Sequence, residues 1–196
     1  MKFIGGLPCL DFLNTVGGWK QGRVIEDKFV TYSDLVRWAG LAGLAVRRPA
    51  RPNPRKSAEV LARARSLRLA LHRVFICAVE NRPPGHADLA IFTRELSLAR
   101  EHQALVEQRG KFLWKWDDAP AIDAILWCVS QSAADLLTSP DLGRVRCCLG
   151  ENCGWLFLDR TRNRSRHWCD MKDCGNLAKV RRFRARLTRP GIRSTP

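Results

Sequence analysis

The sequence predicts a mainly α-helical protein that carries one β-hairpin and ends in a small module of a different build. Three observations predict this. Apolar residues recur at three- and four-residue spacing over 57–80, 87–101 and 119–137, the mark of helices with one buried face. Over 105–116 the period changes to alternation, as in paired strands. Five of the eight cysteines crowd into 147–174, amid a run of arginines.

The elements follow in chain order. Segment 7–16 is apolar and ends at Gly17-Gly18, so it forms either a strand or a short buried helix. Thr31 followed by Asp34 forms a capping box. The helix it opens carries Leu35, Val36, Trp38, Ala39 and Ala42 and stops near Gly43. Residues 47–55 contain three prolines and four arginines, which exclude a regular helix and leave a tether or a surface loop.

The 57–80 helix puts Val60, Leu61, Ala64, Leu67, Leu71, Val74, Phe75 and Ala78 on one stripe, with Arg63, Arg65, Arg68 and Arg73 mostly off it. Pro83-Pro84-Gly85 breaks the chain, and the next helix turns Leu89, Phe92, Leu96 and Ala99 inward. Arg109-Gly110 reads as a two-residue hairpin turn between 105–108 and 111–116, so Phe112, Trp114 and Trp116 share one face. The 119–137 helix, with Pro120 in its first turn, buries Ile122, Ile125, Leu126, Val129, Ala133 and Leu136.

Trp38, Trp114, Trp116 and Trp127 either line a ligand pocket or pack as core, and periodic aromatics favour the core. Cys9, Cys77 and Cys128 sit in apolar surroundings, where a free thiol packs as a small hydrophobe. His72, His86 and His102 show no partner pattern. Ser139-Pro140-Asp141 marks a boundary, giving a helical domain over 1–141 and a basic module over 142–196.

Charge separates the two parts. Of 196 residues, 34 are Lys or Arg and 19 Asp or Glu, a net charge of +15. Residues 144–196 carry +10 of it, against +5 for residues 1–143. Such an excess favours a polyanionic partner, because each cation placed on a phosphate releases condensed counterions. No apolar run approaches the ~20 residues that span a bilayer. Residues 1–10 resemble a signal peptide only faintly, since Pro8 interrupts the apolar stretch and Asp11 closes it. The expectation is a cytoplasmic protein away from membranes.

Four cysteines then define a metal centre. Cys148 and Cys153 are spaced C-x4-C, fifteen residues follow, and Cys169 and Cys174 repeat C-x4-C. Two short-spaced thiolate pairs satisfy tetrahedral zinc at little cost in loop entropy. Cys147 would give an unmatched x5 spacing, so Cys148 is preferred. Gly154 permits the tight backbone of a metal knuckle. Segment 155–158 reads as a strand, His167-Trp168 as its hairpin partner, and Cys174 stands where a helix opens. The order is treble-clef-like. A four-thiolate site leaves no open position, which implies one structural zinc ion and no metal catalysis. His167 is the only histidine in reach, and four cysteines suffice without it.

Cations surround this centre. On the helix after Cys174, Val180, Phe183 and Leu187 fall in one arc and are expected to pack against the zinc core. Lys179, Arg182 and Arg186 flank the arc on one side, and Arg181 and Arg184 on the other. The loop 160–166 adds Arg160, Arg162, Arg164 and Arg166, interleaved with Thr161, Asn163 and Ser165, which can also bond phosphate oxygens. These nine cations are the candidate nucleic-acid contacts.

The residues Cys153-Gly154-Trp155-Leu156-Phe157-Leu158-Asp159, Arg162-Asn163-Arg164-Ser165-Arg166, Trp168-Cys169, Met171, Cys174-Gly175-Asn176 and Ala178-Lys179-Val180-Arg181-Arg182 resemble the CGNR zinc-finger family. Upstream, Leu10-Asp11-Phe12-Leu13-Asn14-Thr15 is similar to the opening signature of the ABATE domain that precedes this finger. The resemblance weakens through the Arg68-bearing helix and the hairpin. It implies a bacterial transcription regulator linked to stress responses, whose finger binds DNA. Leu177 stands where the family has its namesake arginine, and His167 where it has an arginine before Trp168.

The expected function is therefore transcription regulation through DNA, with the helical domain sensing a ligand or pairing two copies into a homodimer. Its rivals are an RNA-binding or protein-interaction zinc module, and an enzyme with a site around Asp11, Asn14 and Thr15. Those three residues read better as a buried cap or hydrogen-bonded turn, so no catalytic residue is assigned.

Overall fold

The computed structural model describes residues 1–44, 46–47 and 52–187. Among the described residues, six helices and three two-stranded antiparallel sheets make up the fold, as the sequence class predicts.

Segment 7–16 resolves as a helix, α1 (Pro8–Leu13), with proline in its first turn and nearly every side chain buried. A two-rung hairpin follows, β1 (Trp19–Lys20) with β2 (Arg23–Val24). The capping box forms as expected. Thr31 accepts from the Asp34 amide, the Asp34 carboxylate accepts from the Thr31 amide, and α2 (Tyr32–Leu41) begins there.

Helix α3 (Pro54–Val79) starts three residues before the periodicity suggests. Asn53 caps it through the amides of Arg55 and Lys56, and Pro54 takes the first position, where its missing N–H costs no bond. Residues 48–51 of the proline-rich segment lie outside the described residues. Helix α4 (His86–Arg100) and the hairpin β3 (Gln103–Gln108) with β4 (Lys111–Trp116) follow. The turn is the expected one, with φ of 54° at Arg109 and 77° at Gly110.

Helix α5 (Ala124–Leu137) starts five residues later than expected. Residues 119–123 serve other bonds. The Ala121 amide donates to the Arg47 carbonyl, and the Ile122 carbonyl accepts from Tyr32 Oη at 2.7 Å. A 3-10 turn, Pro140–Arg144, leads into β5 (Val145–Cys147) and β6 (Leu156–Leu158). A π-helical turn, Met171–Gly175, then opens α6 (Asn176–Leu187).

The main core packs α1 against α3 and α5, around an aromatic trio of Phe12, Phe29 and Trp38 with ring centroids 5.4–6.0 Å apart. Val145, Leu156 and Leu158 belong to the same core, so the metal-bearing segment forms one of its walls. Cys9 and Cys77 are buried as expected, and Cys128 is half-buried.

Arg68 departs from its expected place off the stripe. It is 1% exposed and reaches the Thr15 carbonyl, Thr15 Oγ1 and Asp27. A buried guanidinium survives only with such partners. Arg63 ties α3 to α4 and to the start of α5, pairing with Glu95 at 2.8 Å and Asp123 at 2.9 Å.

The tryptophans divide. Trp38 and Trp127 are core, and Trp127 also lines, with Trp116, Arg47 and Lys115, a cavity of about 400 Å³. Phe112 and Trp114 share the outer face of the hairpin at 74% and 64% exposure, so they are neither core nor pocket.

Candidate functional site

The metal centre grows from the β5–β6 hairpin. The Cys148 amide donates to the Trp155 carbonyl at 2.8 Å, which extends the ladder by one bond, and the chain between them forms the knuckle. The Cys153 amide closes that loop on the Gly150 carbonyl. Two glycines make the closure feasible. A Cβ on Gly150 would lie 2.8 Å from Cys174 Sγ, and one on Gly154, where φ is +58°, would lie 2.6 Å from Trp19 Cβ. Cys169 follows the arginine loop, and Cys174 sits in the π-helical turn just before α6.

The expected strand partner is corrected by the ladder. β6 pairs with β5, and His167-Trp168 lies across from the knuckle instead, with the His167 carbonyl accepting from the Leu149 amide. Strand 145–147 is hard to see in sequence because it is three residues long and precedes its own knuckle.

The four sulfurs of Cys148, Cys153, Cys169 and Cys174 all lie within 4.8 Å of one another. Cys169 Sγ stands 3.6 Å from Cys153 Sγ and 3.7 Å from Cys174 Sγ. Zn–S bonds of about 2.3 Å give a tetrahedral edge of about 3.8 Å. The set therefore fits one zinc ion. Two amides, of Gly150 and Cys169, point at Cys148 Sγ from 3.4 and 3.3 Å and help carry thiolate charge. Cys147 is not a ligand, since neighbouring residues of a strand face opposite ways and its side chain packs against the main core. Burial pushes its thiol up to about 11.

Electrostatics explain why the centre wants a cation. The Cys148 thiol is pulled far down, first by the Cys153 and Cys169 thiols and then by those two amides. Cys153 and Cys169 are pushed up, chiefly by lying beside Cys148. Crowded thiols resist ionising together, and a divalent ion removes that resistance. When bound, zinc supplies structural closure, and all four ligands come from the protein.

The inner side of the module is bonded to the helical part. The Asn14 side chain mimics a strand residue, donating from Nδ2 to the Leu156 carbonyl at 2.8 Å and accepting from its amide at 3.0 Å. Trp155 Nε1 donates to the Val16 carbonyl, and the Trp19 amide to the Cys153 carbonyl at 2.9 Å. His72 Nε2 bonds the Gly154 carbonyl at 3.0 Å, while its ring stacks on Trp19 with centroids 3.6 Å apart. Burial lowers the His72 pKa to about 4, so the ring is neutral and donates. A second stacked pair joins His102 to Trp127 at 3.9 Å. No sequence signal exposes either pair, because each joins residues far apart in the chain.

Asp11, Asn14 and Thr15 are bonded as a buried turn. Asp11 Oδ1 accepts from the Gly5 amide at 2.8 Å, and Thr15 Oγ1 donates to the Phe12 carbonyl and accepts from Arg68. Burial raises the Asp11 pKa despite the amides that bond it.

The basic loop is set by Asp159. This buried carboxylate accepts from the Thr161 amide, Thr161 Oγ1 and the Arg166 amide. Burial opposes its charge, and those donors outweigh the burial and lower its pKa. Arg160, Arg162 and Arg164 are exposed. Arg166 turns inward, donating to the Trp168 and Cys169 carbonyls and lying 4.2 Å over the Phe157 ring.

On α6, Lys179, Arg181, Arg182, Arg184 and Arg186 are exposed, and Arg181 pairs with Glu151 at 2.5 Å. The expected packing of the apolar arc is overturned. Val180 is 45% exposed and Phe183 63%, because α6 packs chiefly against the turn that precedes it. The Leu187 side chain lies outside the described residues. Leu177, in the place of the family arginine, is 58% exposed.

Fold and site define a class: a helical protein whose core is completed by a four-cysteine zinc finger bearing an exposed basic helix. The ABATE family model, described as "Putative stress-induced transcription regulator", matches residues 6–140, and the CGNR zinc-finger model matches 144–187. The chain belongs to the ABATE family and carries a CGNR zinc finger. Among curated proteins, none matches the chain.

Proposed function

We propose that the chain is a cytoplasmic, DNA-binding transcription regulator with no catalytic role. The observation that carries this reading is the display of cations on two elements that the metal centre fixes. Arg160, Arg162 and Arg164 stand on a loop organised by Asp159, and Lys179, Arg182, Arg184 and Arg186 on a helix that opens after Cys174. Phosphate contacts position such a module, and its arginines steer it to duplex DNA. Arg166 serves the module's own fold, and Arg181 is paired with Glu151.

The regions 1–141 and 142–196 divide by role. The helical part senses a ligand or brings two copies together, and the finger contacts DNA. Among the described residues, no helix is long and apolar enough to cross a membrane. One observation favours a second reading, a protein-interaction module: the exposed Leu177, Val180 and Phe183 on α6.

The test is equilibrium binding of the zinc-loaded chain to duplex DNA, structured RNA and single strands, each across salt. Duplex DNA is expected to bind tightest at low salt. Replacing Arg160, Arg162 and Arg164 by Ala together should lower the salt slope by about 0.9 for every phosphate that those side chains neutralise. Absence of duplex binding at low salt would refute the proposal, and a preference for RNA would redirect it.

A further inference from the structure

The end of α3, the turn into α4 and the β1–β2 hairpin surround a cavity of about 500 Å³, whose remaining wall is Gly154 of the zinc knuckle. That volume lies within the range of small-molecule sites, which join apolar walls to a few polar groups. Here the apolar part is the stacked Trp19–His72 pair together with Ile76 and Cys77. Trp19 is 4% exposed, and its Nε1 is buried with no hydrogen-bond partner among the described residues.

The polar part is cationic. Arg73 and Arg82 both line the cavity, and Asp88 adds a carboxylate. Each arginine is about half exposed and ion-paired, Arg73 to Asp88 at 3.2 Å and Arg82 to Glu80 at 2.5 Å. Exposed pairs of this kind are weak, so a ligand carboxylate can displace or join them.

We infer that this cavity binds a small organic anion, a carboxylate on a planar apolar body, at the joint between the helical part and the zinc knuckle. The inference deepens the sensor reading of the helical part and does not depend on DNA binding. The carboxylate meets Arg73 and Arg82, and the body lies along the Trp19–His72 wall. Trp19 and His72 are also the residues that bond the carbonyls of Cys153 and Gly154. An occupant therefore favours the docked knuckle, and by mass action it retains the metal.

The experiment titrates the zinc-loaded full chain, without DNA, with indole-3-acetate and 3-phenylpropionate, each beside its neutral amide. Calorimetry should show at least one acid binding roughly tenfold or more tighter than its amide, a gap that marks charge recognition. An Arg73→Gln, Arg82→Gln double variant should lose acid binding by about the same factor. Its zinc content and melting temperature should stay those of the native chain, since both side chains are on the surface. Saturating acid should also slow zinc transfer to a coloured chelator severalfold.

The site is overturned if neither acid binds, if acid and amide bind alike, or if the double variant binds as the native chain does. Unchanged zinc transfer in the presence of a bound acid overturns the coupling to the knuckle. A bound acid that leaves duplex-DNA affinity unchanged overturns the sensor reading while the cavity assignment stands.

Discussion

The two sides of the zinc module differ in kind. Its inner side is buried and bonded, through Asn14 to Leu156, Trp155 to Val16, and Trp19 and His72 to the knuckle carbonyls. Its outer side exposes most side chains of α6 and, on the loop, Arg160, Arg162 and Arg164, and α6 packs chiefly on the turn that precedes it. The difference teaches where stability and recognition reside. Changes on the inner side should destabilise the protein, and changes to the exposed side chains of the outer side should alter chiefly what it binds.

The largest break in that comparison is removal of a metal ligand. Cys169→Ser should abolish zinc binding and leave the C-terminal region unfolded, because structural zinc supplies about 10–16 kcal/mol in isolated fingers. Metal analysis and a thermal melt check this. A stable melt with no zinc would show that the shared core suffices without metal.

Next comes Asn14→Ala, which leaves the buried amide and carbonyl of Leu156 without partners. Each of the two orphaned groups costs about 1–3 kcal/mol, so the loss is roughly 2–6 kcal/mol. The melting temperature should fall by roughly 5–20 °C. Zinc stoichiometry is expected to hold at one.

Of similar size is the pH effect of His72. Burial keeps its folded pKa near 4, below the ordinary 6.5, so the unfolded chain takes a proton that the folded chain refuses. The stability tied to this ring is complete above about pH 6.5 and drains as pH falls toward about 4. Ring chemical shifts followed across that window should show His72 neutral until its lower end. The smallest effect belongs to the outer side. Phe183→Ala, at an exposed position, should move stability by no more than about 0.5 kcal/mol.

Much of this is legible in sequence where the signal is local. The matched C-x4-C pairs find the metal centre, Thr31 and Asp34 find a helix start, and Arg109-Gly110 finds a hairpin. Each depends on residues a few positions apart. Contacts across the chain are not legible. Arg68 sits on a face that periodicity reads as solvated, yet Thr15 and Asp27 receive it inside the fold. Val180 and Phe183 have the spacing of a buried stripe, but spacing does not say whether anything covers it. The start of α5 fails for a related reason, since Ala121 and Ile122 bond Arg47 and Tyr32, outside any local window. The metal ligands are thus readable from their own spacing, while the cavity beside His72 needs the fold.

The bond between Asn14 and Leu156 has a consequence for synthesis. A ribosome releases residue 14 long before residue 156, so the first helix emerges without the strand that it must recognise. Until the knuckle is made, the helical part lacks the wall supplied by Val145, Leu156 and Leu158. Metal loading thus falls at the end of folding rather than beside it. A cell starved of zinc would accumulate chains with an open core, which are the chains that proteases remove first.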